Sequence, residues 1–165
     1  MTAVCVDESI FIYDSVVRKV WAVKGSKPLV ITTGSHKKVF EFGAVALNRT
    51  TLFRSYDNMN SRTFISFLNA LKRKYRRFVL FYDGAPWHKS EEVEKYLRKN
   101  RRRIESVMFP KCSPELNPAE HAWDMGKDEI LGSTVPNTFG EMRRSVSEYY
   151  RTKRFKIDVN NYLCP

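Results

Sequence analysis

Three acidic residues lie where carboxylates are either costly or well placed for chemistry. Asp7 is inside an apolar, β-branched run, where a carboxylate is expensive unless it is paired or bound to a cation. Asp83 follows the apolar run "FVLFY", at the carboxyl end of a predicted strand, where α/β sheets bind ligands. Glu120 begins a predicted helix. Carboxylates from separate elements suit Mg²⁺ or Mn²⁺, and two such ions can clamp the attacking and leaving oxygens of a phosphoryl transfer.

Each of these acids also has a purely structural interpretation. Asp7 could be an acid at the end of a strand, with Glu8 as its exposed neighbour. Asp83 and the glycine after it could form only a turn, because Asp-Gly is a strong turn dipeptide. Glu120 lies three residues after Asn117 and could complete a capping box at the start of its helix. The residues alone leave these alternatives open, and capping and metal binding can coexist at Glu120.

Three further side chains are weaker candidates. His88 could contact a phosphate, position a water molecule or cap a helix, although an isolated histidine is more often structural. Trp87 and Trp123 are more readily explained as anchors of the core or of loops than as platforms for stacking bases.

The charge of the chain favours a polyanionic partner. Twenty-nine Lys and Arg residues against 18 Asp and Glu give a net charge of +11 and a pI near 9.7. Nucleic acid is the first candidate and an anionic membrane surface the second. The basic clusters at 72–77, 98–103 and 151–156 could each be a solvated helix end, but their summed excess fits the phosphates of DNA or RNA best.

Other composition features narrow the class of protein. No apolar run approaches the roughly 18–20 residues of a membrane span, and the first residues lack a secretory signal pattern. The three cysteines include no C-x-x-C pair, which argues against a disulfide framework or a cysteine zinc site and favours a reducing compartment.

The order of predicted elements indicates an α/β domain. Strands come first, and then strands and helices alternate, which predicts one mixed sheet with helices on its faces. The predicted strands are 2–14, two strands within 19–33 around a turn at 25–28, 38–48, 51–57, 77–83 and 104–110. The predicted helices start at Ser61, at Ser90 as N-cap, at Pro118 and at Thr138 as N-cap, and the third ends near Leu131.

Three ordered motifs resemble a known family. They are "VCVDES", "FYDGAPWHKS" and "CSPELNPAEHAW", and 36 residues separate Asp83 from Glu120. Together they are similar to the catalytic domain of DDE transposases of the mariner superfamily, in its bacterial and archaeal insertion-sequence branch. Gly84 stands where that family usually has Asn.

The resemblance implies a ribonuclease H-like fold, with a mixed five-stranded sheet flanked by helices. It makes Asp7, Asp83 and Glu120 the catalytic triad, holding two Mg²⁺ or Mn²⁺ ions. The implied reaction is hydrolysis of a phosphodiester at the end of the element, followed by attack of the freed 3′-OH on target DNA. The implied partners are transposon ends, target DNA and a second copy of the chain, in the cytoplasm on the nucleoid.

We expect residues 1–165 to form a single catalytic domain without the family's N-terminal helix-turn-helix region, and therefore to bind DNA with little sequence preference. Two rival functions stay open at this point. One is another nuclease of the same fold, such as a ribonuclease H or a resolvase. The other is an inactive remnant that only binds nucleic acid.

Overall fold

The computed structural model describes residues 1–14, 23–26, 33–111, 113–131 and 136–163. The two strands predicted within 19–33 lie largely outside the described residues, so that prediction stays untested. Gly25, in the turn predicted between them, has φ +89°, a left-handed conformation that favours glycine.

Five strands form one mixed sheet. They are β1 (Thr2–Ile12), β2 (Lys38–Ala46), β3 (Thr51–Tyr56), β4 (Phe78–Tyr82) and β5 (Ile104–Met108). The order across the sheet is β3-β2-β1-β4-β5. β1 pairs antiparallel with β2, and β2 with β3, whereas β4 lies parallel to both β1 and β5. The predicted mixed five-stranded sheet is confirmed.

Five α-helices accompany the sheet within the residues that the structure describes. They are α1 (Ser61–Lys74), α2 (Glu91–Lys99), α3 (Ala119–Leu131), α4 (Phe139–Thr152) and the short α5 (Asn160–Leu163). The predicted N-caps are confirmed, because the Ser90 hydroxyl accepts from the Val93 amide and the Thr138 hydroxyl from the Glu141 amide. No helix in the described part of the chain is long and apolar enough to cross a bilayer.

The sheet separates two hydrophobic cores. On one face α1 and α2 bury Phe64 and Val93 against the strands, and on the other face α3 and α4 bury Trp123 and Val146. β1 is the central strand, and successive side chains of a strand point to opposite faces. This burial on both faces explains why the sequence of β1 is an apolar run rather than an alternation.

Two glycines allow α3 to pack closely. A Cβ at Gly43 of β2 would lie 2.6 Å from the indole of Trp123, so the tryptophan ring can rest on the sheet only above a glycine. A side chain at Gly126 would collide with the hydroxyl of Tyr150 on α4. That hydroxyl instead donates a hydrogen bond of 3.1 Å to the carbonyl of Ala122. Both contacts fix the position of α3, which carries Glu120.

Glu41 is a buried carboxyl group on the same face of the sheet. Only 1% of the residue is exposed, and its Oε2 accepts a hydrogen bond of 2.5 Å from the Ser55 hydroxyl. Burial raises the pKa of Glu41 to about 8, although the hydrogen bond from Ser55 and the charge of Arg54 act to lower it. An acid whose pKa is higher in the folded chain stabilises the fold at low pH, and that contribution is lost as the pH rises from the ordinary glutamate value toward 8.

We therefore expect Glu41→Gln to raise the melting temperature at pH 8 by about 4 °C or more. Each pKa unit corresponds to about 1.4 kcal/mol, and each kcal/mol to about 2–4 °C in a chain of this size. The gain should shrink toward pH 5, where Glu41 is protonated, and thermal unfolding followed by circular dichroism between pH 5 and 8 measures it. The exposed Glu105→Gln is the matched control. Melting curves of Glu41→Gln that run parallel to those of the unaltered chain at every pH would contradict a buried carboxyl group at this position.

Candidate functional site

The three predicted acids line one cavity. Asp7, Asp83 and Glu120 face a cavity of about 480 Å³, together with Lys89 and Lys111. It lies at the carboxyl end of β4, where β1 passes alongside and α3 begins. The acids belong to three separate elements, so the fold brings together residues that are far apart in the sequence.

Asp7 is fixed from the side of α3. It is 9% exposed, and its Oδ2 accepts a hydrogen bond of 2.8 Å from Trp123 Nε1. Burial raises the pKa of Asp7 to about 7, and the nearby charges of Glu120 and Glu8 raise it further, against the hydrogen bond from Trp123. Asp7 lies within β1, so the interpretation as an acid at the end of a strand is wrong.

Asp83 lies directly after β4, and its side chain is 52% exposed. Its Oδ1 accepts hydrogen bonds from the Ala85 amide at 3.0 Å and from His88 Nδ1 at 2.7 Å. The hydrogen bond from His88 lowers the pKa of Asp83, against a smaller opposing effect of burial. Asp83 therefore makes the turn that the dipeptide predicts and is also an ionised carboxylate at the cavity.

Glu120 lies in the first turn of α3, and it is exposed. The side chain of Asn117 accepts a hydrogen bond of 3.2 Å from the Ala119 amide, which provides the predicted cap. The reciprocal half of a capping box is missing, because the Glu120 carboxylate makes no hydrogen bond to any residue that the structure describes. This carboxylate is thus left facing the cavity.

A second group of titratable residues supports Asp83 from the opposite face of the sheet. The His88 ring is buried, with Nε2 3.0 Å from Glu8 Oε1 and Nδ1 2.7 Å from Asp83 Oδ1. The Glu8 side chain is only 3% exposed, so its interpretation as an exposed neighbour is wrong: in the central strand the side chains of Asp7 and Glu8 both point into covered faces. His88 does not line the cavity; it holds a carboxylate that does.

The charge state of His88 follows from its two partners. Burial alone lowers the pKa of His88, but the hydrogen bonds and negative charges of Asp83 and Glu8 outweigh burial and raise it to about 9. At neutral pH the ring is therefore an imidazolium that donates to both carboxylates. Burial raises the pKa of Glu8, and the hydrogen bond and charge of His88 oppose that shift.

Glu8, Asp83 and His88 also bring their ligand atoms within 4.8 Å of one another, a spacing that a metal ion could bridge. Both ring nitrogens already face carboxylates, however, and an imidazolium has no lone pair to offer a cation. Glu8 and His88 are also closed off from solvent. This trio is suited to positioning Asp83, whereas the open cavity offers carboxylates that are available to a cation.

Gly84 leaves space in the cavity for a lysine. A Cβ at Gly84 would lie 2.9 Å from Lys89 Nζ, so the ammonium group occupies the space where a longer side chain at residue 84 would begin. The charge of Lys89 contributes to lowering the pKa of Asp83. Gly84 thus lets the ammonium group of Lys89 lie close to the Asp83 carboxylate.

The trio predicts an unusual pattern of stabilities. His88→Ala should cost about 3–5 kcal/mol, because it leaves Glu8 as an unpaired buried charge. Adding Glu8→Gln to that variant should recover part of the loss, since the second change removes the charge. Urea unfolding of the two single variants and the double variant measures this coupling. A double variant less stable than His88→Ala would show that Glu8 and His88 are not an ion pair.

Comparison with known proteins agrees with this geometry. The family model of the DDE superfamily endonucleases matches residues 2–143. An uncharacterised 39 kDa protein of insertion element IS630 from Shigella sonnei is 27% identical over 136 residues, which cover 80% of this chain and 39% of that protein. The chain thus spans less than half the length of this curated relative.

Solved structures share the fold. The Mos1 transposase paired-end complex with the left transposon end superposes with a TM-score of 0.70 at 17% identity, over 97% of this chain and 51% of that chain. The Mos1 mariner paired-end complex with Mn gives 0.63 at 19% identity, over 98% and 50%. These structures share the ribonuclease H-like fold of this chain. Because the family model matches residues 2–143, most of its length, the chain belongs to the DDE superfamily endonucleases.

Proposed function

We propose that this chain is the catalytic domain of a transposase that cleaves a phosphodiester at the end of a DNA element and transfers the freed 3′-OH to target DNA. The observation that carries the proposal is the convergence of Asp7, Asp83 and Glu120 on one open cavity. These acids are also the ones that the family motifs single out.

The donor set of the cavity fits divalent cations. Three carboxylates share it, and the raised pKa of Asp7 reflects both its burial and repulsion by Glu120, a charge imbalance that a cation would relieve. Hard ions such as Mg²⁺ and Mn²⁺ prefer carboxylate oxygens. We propose that Asp7, Asp83 and Glu120 hold two such ions. When bound, the ions supply Lewis acidity and stabilise the charge on the attacking and leaving oxygens.

The residues of the chain prepare this cavity before any ion or DNA arrives. Trp123 holds Asp7, and His88 holds Asp83, so two of the three carboxylates have fixed orientations. Lys89 and Lys111 line the same cavity, and their ammonium groups can neutralise phosphates on either side of the bond to be cut. Preorganised groups of this kind avoid the cost of reorganisation during the reaction.

The rival functions are less well supported. An inactive remnant would not need to keep three carboxylates on one cavity together with the buried support behind Asp83. A ribonuclease H or a resolvase would share the fold, but the family match and the insertion-element relative favour transposition.

We further propose that transposon ends and target DNA are the substrates. We also propose that the protein acts in the cytoplasm, in association with the nucleoid. The net charge of +11 supports binding to DNA phosphates. An element has two ends, and two copies of the chain would supply an active site for each, so we propose that the chain acts as a homodimer.

The assignment of the triad predicts selective losses of activity. Asp83→Asn and Glu120→Gln should each lower Mn²⁺-dependent nicking of plasmid DNA by at least about 100-fold, a loss of roughly 2.7 kcal/mol in transition-state stabilisation. Both substitutions keep the size of the side chain and one oxygen that accepts hydrogen bonds, so the fold should persist. Nicking rates together with circular dichroism spectra measure the two effects.

Two neighbouring acids provide matched controls for Glu120. Glu115 lies in the loop before α3 and Asp124 one turn further along the helix; both are exposed, and neither lines the cavity. Glu115→Gln and Asp124→Asn should nick and transfer DNA at rates close to the unaltered chain. If Glu120→Gln kept normal activity while either control lost it, the third metal ligand would have to be assigned to that other residue.

A further inference from the structure

A second cavity lies apart from the carboxylates. Its volume is about 760 Å³, and it is formed by the turn between β2 and β3 and by the chain that follows α4. Arg49 and Thr51 line it from the turn, and residues 151–158 line it from the other side. None of these residues lines the catalytic cavity.

The second cavity carries a strong excess of positive charge. Five of its lining residues are cations, and Asp158 is its single acid. Arg49 neutralises that acid with an ion pair of 3.1 Å, and Lys153 is held by Glu129 at 2.7 Å. The three other cations are exposed and form no ion pair with a described residue: Arg151, Arg154 and Lys156.

The segment after α4 anchors the backbone that carries two of these cations, Arg154 and Lys156. Phe155 and Ile157 are buried in the core beneath, and the Phe155 ring stacks on Tyr150 with 5.8 Å between centroids. In an extended segment alternate side chains point to opposite sides, so Arg154 and Lys156 both point to solvent. The apolar anchors thus preorganise the charges, which lowers the entropy that a ligand would have to overcome.

The other two basic clusters of the sequence are partly used within the fold. Arg103 donates hydrogen bonds to the carbonyls of Arg76 and Lys72, and Lys72 Nζ donates to the Asn100 side chain at 2.8 Å. These contacts close the carboxyl end of α1, as the interpretation of these clusters as helix ends predicts. The cluster at 151–156 lines the second cavity with three cations that form no ion pair with a described residue.

The position of the second cavity suits a substrate that extends beyond the catalytic one. Lys153 is bound to Glu129, which lies nine residues after Glu120 on α3, about 14 Å along the helix axis. The second cavity therefore lies near the carboxyl end of α3, whereas the carboxylate cavity lies at its amino end. Both cavities are lined in part by residues on the face of the sheet that α3 and α4 cover.

We infer that this second cavity binds the phosphodiester backbone of duplex DNA, outside the segment that enters the catalytic cavity. The inference deepens the proposed function and rests on it for the identity of the substrate. Guanidinium groups match phosphate oxygens in a bidentate geometry, and such contacts give affinity without sequence preference. The apolar residues of the segment, Phe155 and Ile157, face the core rather than the solvent, which favours DNA over a lipid surface.

The test removes two exposed charges from this cavity. Arg154→Gln combined with Lys156→Gln is compared with Arg101→Gln combined with Arg102→Gln, which removes two exposed cations from the turn after α2. Anisotropy of a labelled 20-base-pair duplex is measured between 50 and 200 mM salt, with a chelator present to prevent cleavage. We expect the cavity variant to bind at least about tenfold more weakly at 50 mM salt and to lose about two units of the salt slope. The control variant should lose less than about half a unit of the salt slope.

The outcomes separate this inference from the proposed function. Equal losses of DNA affinity in the two variants, or an unchanged salt slope in the cavity variant, would overturn the inference. This holds even if the unaltered chain nicks DNA with Mn²⁺. The expected difference in slope in a chain that nicks no DNA would uphold the second site and overturn the proposed catalysis. Binding to vesicles of phosphatidylserine and phosphatidylcholine is measured as a further arm. If the cavity variant lost vesicle binding but kept its affinity for DNA, the cavity would be assigned to a membrane and the inference would be overturned.

Discussion

The hydrogen bond from Trp123 to Asp7 ties the cavity lined by the three acids to the core of the protein. It joins α3 to the central strand over 2.8 Å, and it is possible only because Gly43 leaves room for the indole on the sheet. Trp123 lies one turn after Glu120, so the same contact that orients Asp7 also sets where Glu120 enters the cavity. Tyr150 of α4 then packs against Gly126 and donates a hydrogen bond to the Ala122 carbonyl, which holds the helix from within the core.

The central strand serves both faces of the sheet with two consecutive acids. Asp7 points toward α3, and Glu8 points to the opposite face, where the imidazolium of His88 links it to Asp83. Asp7 and Asp83 are thereby each held by a buried partner, Trp123 on one face of the sheet and His88 on the other. The ring of His88 balances Glu8 and Asp83, whereas neither Asp7 nor Glu120 forms an ion pair with a described residue, and their mutual repulsion helps raise the pKa of Asp7. A divalent ion is the counter-charge that this imbalance calls for.

The elements and the three acids could be predicted from the sequence because their signals are local. Periodicity, caps such as Ser90 and the apolar run of β1 depend on neighbours within a few residues. The partners of the acids could not be predicted, because His88 meets Glu8 across 80 positions and Trp123 meets Asp7 across 116. Gly43 looks like an ordinary strand glycine until the indole above it is known. The apolar, centrally placed strand was the available signal that Glu8 is buried, since both faces of such a strand are covered.

The central claim is that the open carboxylate cavity, and not the trio around His88, holds the metal ions. Anomalous diffraction from crystals soaked in Mn²⁺ tests it most directly. We expect anomalous density bounded by Asp7, Asp83 and Glu120, which disappears in crystals of Asp83→Asn while the hydrogen bond from Trp123 to Asp7 persists. Density between Glu8 and His88 instead, or a cavity that stays free of Mn²⁺ at saturating concentration, would contradict the claim.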